Sequence, residues 1–126
     1  MDGDMSLFRM AFGEFLRYDI VSRLFGFRRI HRELTGLAVS RPIQCTGVEQ
    51  ICSAIDWATA FYWKPVHCLQ RSVATVRLLR RHGWEGRLVI GYQPVPFFCH
   101  AWVEVNGLPV GDSRAYKMRL RVLETT

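Results

Sequence analysis

Three residues far apart in the chain have the types and settings that nucleophilic catalysis requires: Cys68, His100 and Asp112. Cys68 follows Pro65 by three residues and opens the stretch CLQRSVATVRLLRR, whose apolar residues keep helical spacing. Pro65 suits a first helical turn, where its missing N–H costs nothing, so Cys68 is expected in that turn. Unpaired backbone N–H groups and the positive end of the helix dipole converge there, and both favour a thiolate, the reactive form of cysteine. A lone cysteine is more often a small buried hydrophobe, so Cys68 acquires meaning only beside a base. His100 and Asp112 bound the hairpin HAWVEVNGLPVGD. A base in turn needs an orienting group, and whether Asp112 is that group depends on strand register.

Two registers compete at Asn106–Gly107. A two-residue turn pairs Val105 with Leu108 and His100 with Ser113, leaving Asp112 opposite Ala101 on the other face. A three-residue loop, with Gly107 in its left-handed last position, pairs Glu104 with Leu108 and sets His100 directly across from Asp112. Directly opposed residues have Cβ atoms about 4.5–5.5 Å apart, within reach of a carboxylate–imidazole hydrogen bond. The three-residue loop is the expectation, and a bulge after a two-residue turn would restore the pairing. The rival acid, Glu104, shares a strand face with His100 but lies roughly 13 Å along it, at about 3.3 Å per residue.

Other groupings are weaker. His67 is Cys68's neighbour in a helical reading, so their side chains diverge by about 100°. Cys99 precedes His100 in a strand and points to the opposite face. The four cysteines, Cys45, Cys52, Cys68 and Cys99, contain no C-x-x-C pair, so neither a zinc site nor any other cofactor is expected. For an oxyanion hole, the Cys68 N–H is one candidate donor, with Tyr62 or Trp63 as side-chain alternatives.

The elements that must position these groups follow from periodicity. Residues 7–27 repeat Phe8, Phe12, Phe15, Ile20, Leu24 and Phe27 at helical steps, with Arg9, Arg17 and Arg23 toward the other side. Gly26 suggests a break, followed by a short helix to about Leu37. A connector with Pro42 and Gly47 leads to a helix over Val48–Phe61, with Cys52 on its apolar face. The Cys68 helix ends where Arg77, Arg80, Arg81 and His82 crowd before Gly83. RLVIGY, residues 87–92, reads as a strand and QPVPFF as a proline-interrupted loop ahead of the hairpin. KMRLRVL alternates strictly, with Met118, Leu120 and Val122 on one face. Helices followed by strands indicate an α+β domain, a small antiparallel sheet packed on a helix.

Composition bounds the rest. A chain of 126 residues, 49% hydrophobic, is one domain able to bury its own core. The first 45 residues form a helical segment packing on the core or on a partner, and residues 46–126 hold the candidate site. There is no run of 18 apolar residues and no secretory signal, so reduced thiols and a cytoplasmic location are expected. Net charge is +6, with 15 of the 17 basic residues arginine. The charge is spread over three segments without a nucleic-acid signature, which argues against a nucleic-acid partner. The basic first helix is expected to pack on protein rather than on a membrane.

The order Cys, His, Asp, with the cysteine at a helix start and the other two on an antiparallel sheet, resembles the transglutaminase-like branch of the papain-type superfamily. Residues 67–112 look more narrowly like the leader peptidases of lasso-peptide biosynthesis. The resemblance rests on C-L-x-R-S at Cys68–Ser72, L-L-R-R-x-G at Leu78–Gly83, L-V-I-G at Leu88–Gly91, P-F at Pro96–Phe97, and H-A-W-V-E-V-x-G at His100–Gly107. The short length is similar to the split form, in which the protease stands apart from a small leader-recognition protein. The resemblance implies a cysteine protease that removes the leader from a ribosomal precursor peptide without a cofactor. Cys68 would attack the scissile carbonyl, His100 would carry the proton, and Asp112 would hold the imidazole. The freed amine would pass to an asparagine-synthetase-like cyclase, and the basic N-terminal helices would offer the recognition protein a docking surface. One departure is Cys99, immediately before His100, where the family usually has a small residue; a second thiol there favours sensitivity to oxidation. Two other readings remain open: an acyl or amine transferase using the same triad, and a peptide-binding scaffold with an inert thiol.

Overall fold

The computed structural model describes residues 2–37, 47–94, 97–105, 108–110 and 121–125, with side chains described over 6–37, 47–91, 100–105 and 109–110. Four helices precede four strands: α1 (Asp2–Phe25), α2 (Phe27–Gly36), α3 (Val48–Phe61), α4 (Cys68–Arg81), β1 (Gly86–Pro94), β2 (Phe97–Val105), β3 (Leu108–Pro109) and β4 (Arg121–Thr125). This is the α+β architecture that the pattern predicts. The break between α1 and α2 falls at Gly26, and α3 has the bounds that its periodicity implies. At the head of α3, Gln50 Oε1 accepts a hydrogen bond from the Gly47 N–H at 2.9 Å, the reaching-back half of a capping box. No helix among the described residues is long and apolar enough to cross a membrane.

One buried cluster joins α1 to the rest of the chain. Leu7, Ala11 and Phe15 of α1 pack with Ile30 and Leu34 of α2, Ile51 and Ile55 of α3, Val76 and Leu79 of α4, and Leu88 and Val103 of the sheet. The apolar stripe expected along α1 holds only for its first half. Phe15 is buried, but Ile20 and Leu24 are 56% and 69% exposed. The reason is phase: five residues from Phe15 to Ile20 advance about 140° around the helix, off the packed face.

α4 is nearly all interior, from Ser72 to Arg80, and two of its arginines are buried with it. Arg77 Nε donates to Glu14 Oε2 of α1 at 2.6 Å, and Arg81 reaches Glu14 Oε1 at 3.2 Å. Arg80 donates to the Leu34 and Leu37 carbonyls at the end of α2 and, from Nε, to the Gly86 carbonyl at 3.1 Å. A planar fork of donors suits this task, because three carbonyls left bare would each carry a desolvation cost. Burial, with Arg87 second, lowers the Arg80 pKa. Past Gly83, at φ 87, the chain turns back so closely that a Cβ on Gly86 would stand 2.8 Å from Leu79 Cδ1.

The sheet is antiparallel throughout, in the order β3-β2-β1-β4. β1 and β2 pair without interruption from Gly86↔Val105 to Pro94↔Phe97. The expected loop over 93–98 is therefore mostly hairpin strand, since prolines near a strand's end mark where pairing stops rather than break it. β4 pairs with β1 across a bulge between Ile90 and Gly91. Only the last residues of the expected strand KMRLRVL fall within β4, and 117–120 lie outside the described residues. Along β2, Ala101, Val103 and Val105 join the core beneath α4, whereas Trp102 is buried with Val89 in a separate cluster.

Candidate active site

Cys68 is the first residue of α4, preceded by an extended His67 (φ −79, ψ 163). The helix thus starts three residues later than Pro65 suggests, and Pro65 belongs to the stretch leading into it. The Arg71 N–H donates to the His67 carbonyl at 3.0 Å and closes the first turn. The N–H groups of Cys68, Leu69 and Gln70 therefore lie ahead of the first intrahelical acceptor. Among the described residues no side chain caps this end. A developing oxyanion beside the Cys68 sulfur would meet these donors and the positive end of the dipole. The thiol is free and half-buried against the main core. Cys52, the other free thiol described, is pushed up to about 11 by burial and then by Asp56, so it remains protonated near neutrality. Cys45 and the Cys99 side chain lie outside the described residues.

A polar network surrounds the approach to Cys68. The stretch 62–67 has no regular secondary structure, yet two of its side chains converge on Asp19 of α1. Lys64 Nζ meets Asp19 Oδ1 at 2.7 Å, and the Tyr62 hydroxyl donates to Asp19 Oδ2. Gln70, two residues past Cys68, donates from Nε2 to the Phe15 carbonyl at 3.0 Å. Burial opposes ionisation of Asp19, but hydrogen bonds from Lys64, Tyr62 and Gln70 outweigh it and hold the carboxyl below its usual range. Tyr62 is pushed up to about 12 by burial and by its bond to Asp19. In this arrangement its hydroxyl hydrogen is given to Asp19. Trp63 is exposed, with Lys64 Nζ 5.6 Å from its ring centroid. Tyr18 has its pKa raised by burial and then by Asp19, and it packs against the same core as Cys68. Of these residues only Tyr62 and Trp63 draw attention in the sequence, because nothing in the spacing of 19, 64 and 70 announces a cluster.

His100 lies in β2, opposite Gly91 of β1, and α4 packs on both strands. Alternation groups it with Trp102 and Glu104. Burial lowers its pKa, so the neutral imidazole, the form that accepts a proton, prevails at neutral pH. Glu104, the rival orienter, accepts from Trp102 Nε1 at 2.9 Å.

The hairpin register differs from the expectation. Val105 pairs with Leu108 and Glu104 with Pro109, and the Val110 N–H donates to the Val103 carbonyl at 3.0 Å. This is the register of a two-residue connection, not of the three-residue loop. Tight two-residue turns match the right-handed twist of paired strands, a reason for the shorter connection. Asp112 itself lies outside the described residues, as do Asn106 and Gly107.

A family description for the transglutaminase-like superfamily matches residues 14–125, and the chain belongs to that superfamily. The match takes in the second half of α1 together with α2–α4 and the sheet. Among curated proteins, the chain is 38% identical over 56 residues to the microcin J25-processing protein McjB of Escherichia coli. That alignment covers 44% of this chain and 27% of McjB. No solved structure matches.

Proposed function

We propose that the protein is a cysteine protease that removes the leader from a lasso-peptide precursor, with Cys68 as nucleophile, His100 as base and Asp112 as orienter. The observation that carries the reading is the head of α4: a free thiol at the first helical position, beside N–H groups that no described side chain caps, on a helix packed against β1 and β2. The likeness to a protein named for processing microcin J25 supports the substrate class. In the acylation step His100 takes the Cys68 thiol proton as the sulfur adds to the scissile carbonyl, and the helix-start N–H groups receive the oxyanion. The tetrahedral adduct collapses, the C–N bond breaks, and the imidazolium of His100 gives its proton to the leaving amine. Water, deprotonated by the same imidazole, then hydrolyses the thioester and restores the thiol. The working partners of this reading are the precursor peptide, a small leader-recognition protein and a lasso cyclase of the asparagine-synthetase type, all in the cytoplasm.

The triad places a requirement on the hairpin. With β3 in its two-residue register, an unbroken ladder would set Asp112 beside Ala101, on the face away from His100. The β1–β2 ladder is regular through this region, so an extra residue cannot come from β2. In the triad reading it would come from the other side, as one residue of bulge between Val110 and Asp112, with Gly111 suited to it. Asp112 would then stand opposite Trp102 as a diagonal neighbour of His100, about 7–8 Å away and within side-chain reach.

The test is to incubate the protein with a precursor peptide, with and without the recognition protein, and to locate the cut by mass spectrometry. A single cut at the leader–core junction, lost in Cys68→Ala, is the expected result. A covalent adduct in place of a free carboxylate would make it a transferase. Full cleavage by Cys68→Ala would overturn the assignment. A Cys68 thiol alkylated no faster than a free cysteine near neutral pH would favour an inert scaffold.

A further inference from the structure

We propose that Asp19 is a positioning residue for Cys68, fixing the stretch 62–67 that delivers the thiol to the head of α4. The inference rests on the reading of Cys68 as the nucleophile and adds to it a residue from the first helix, more than forty positions away in the chain.

Both carboxylate oxygens of Asp19 are engaged by this one stretch, Oδ1 by Lys64 Nζ at 2.7 Å and Oδ2 by the Tyr62 hydroxyl. The stretch has no backbone ladder of its own to hold it, so the two side-chain contacts set where it runs. On the far side of the thiol, Gln70 is tied to the Phe15 carbonyl at 3.0 Å, one helical turn before Asp19. Cys68 is thus bracketed by anchors to a single turn of α1. The Tyr18 side chain, next to Asp19, and Cys68 both pack against the main core.

A second ion network joins α1 to α4 itself, away from the thiol. Glu14 meets Arg77 and Arg81, and Arg77 lies nine residues beyond Cys68, about 13 Å along the axis at about 1.5 Å per residue. Glu14 holds helix to helix, whereas Asp19 holds the approach to the nucleophile. Displacing a reacting group by about 1 Å can cost roughly a hundredfold in rate, so the two networks should separate kinetically.

The experiment uses the full chain and four variants: Asp19→Asn, Tyr62→Phe, Lys64→Met and, as comparator, Glu14→Gln. Three quantities are read: melting temperature, kcat and KM for precursor cleavage, and the pH profile of Cys68 alkylation by iodoacetamide, followed by peptide mass spectrometry. Asp19→Asn is expected to lower kcat about tenfold or more with KM within about twofold, and to change the alkylation profile. Tyr62→Phe and Lys64→Met should each lower kcat less, and a Tyr62→Phe/Asp19→Asn double variant should fall no further than Asp19→Asn alone. Glu14→Gln should lower the melting temperature while leaving kcat of the folded protein unchanged. Unchanged kcat in folded Asp19→Asn would overturn the proposal, as would a kcat loss in Glu14→Gln that tracks its loss of stability. If Asp19→Asn does not fold, unchanged kcat in both Tyr62→Phe and Lys64→Met overturns it. If the wild type cleaves no precursor, the protease reading falls, while alkylation still decides this inference: superimposable Asp19→Asn and wild-type profiles overturn it.

Discussion

The two ends of α4 are built on opposite principles. At the C-terminal end, Arg77 and Arg80 are buried and their donors are taken up by Glu14 and by the carbonyls of Leu34, Leu37 and Gly86. At the N-terminal end, the first N–H groups point away from any intrahelical acceptor, no described side chain caps them, and a free thiol stands among them. Satisfying every polar group fixes a structure, and leaving donors unshared makes a place for incoming negative charge. One end tells of stability and the other of chemistry. Asp19 marks the seam, since it is fully engaged yet engaged with the stretch that leads to the open end.

The largest effect expected from breaking this contrast is at the open end. Cys68→Ala should lower precursor cleavage by about four orders of magnitude or more, with the melting temperature little changed, as followed by mass spectrometry and calorimetry. At the closed end the pattern should invert. Arg77→Met leaves the Glu14 carboxylate, 5% exposed, to the more exposed Arg81 and should cost about 2–3 kcal/mol in denaturant unfolding, while the folded fraction retains its kcat. Arg80→Lys, which keeps the charge but loses the fork, should cost about 1–3 kcal/mol by the same measurement. Gly86→Ala, crowding Leu79, should cost about 1–3 kcal/mol, and a smaller loss would show that β1 can shift off the helix.

The smallest effect is a pH shift. Burial depresses the His100 pKa, so the folded protein takes up this proton at lower pH than the unfolded chain does. The related stability is complete above the ordinary imidazole value of about 6.5 and declines as pH falls from there through the depressed folded value. The acid limb of kcat/KM should likewise lie below the ordinary imidazole value. His100→Asn would abolish the stability trend, and an acid limb at or above the free-imidazole value would count against His100 as the base.

Much of the fold is legible in residue order. Helical spacing locates α3 and the break at Gly26, and the basic cluster before Gly83 locates the end of α4. The β1–β2 hairpin is hidden because Pro94 and Pro96 suppress the strand signal at its tip. Ile20 and Leu24 illustrate a different failure: they keep a regular spacing, but only packing shows which side of α1 is covered. Cys68 and His100 are recognisable from type and setting, whereas the place of Asp112 depends on a ladder offset that the residues leave open between two values.

The sequence by itself determined local matters: a thiol at a helix start, the arginines at that helix's end, and the alternation that makes the hairpin. Each follows from interactions spanning a few residues, where propensity and spacing carry the physics. Tertiary structure alone decided the rest. It set the register of β3, tied Arg77 to Glu14 across 63 positions, and gathered Asp19, Tyr62, Lys64 and Gln70 beside Cys68. Those associations close long loops of chain, and no local preference encodes them; burial of the shared core brings the partners together.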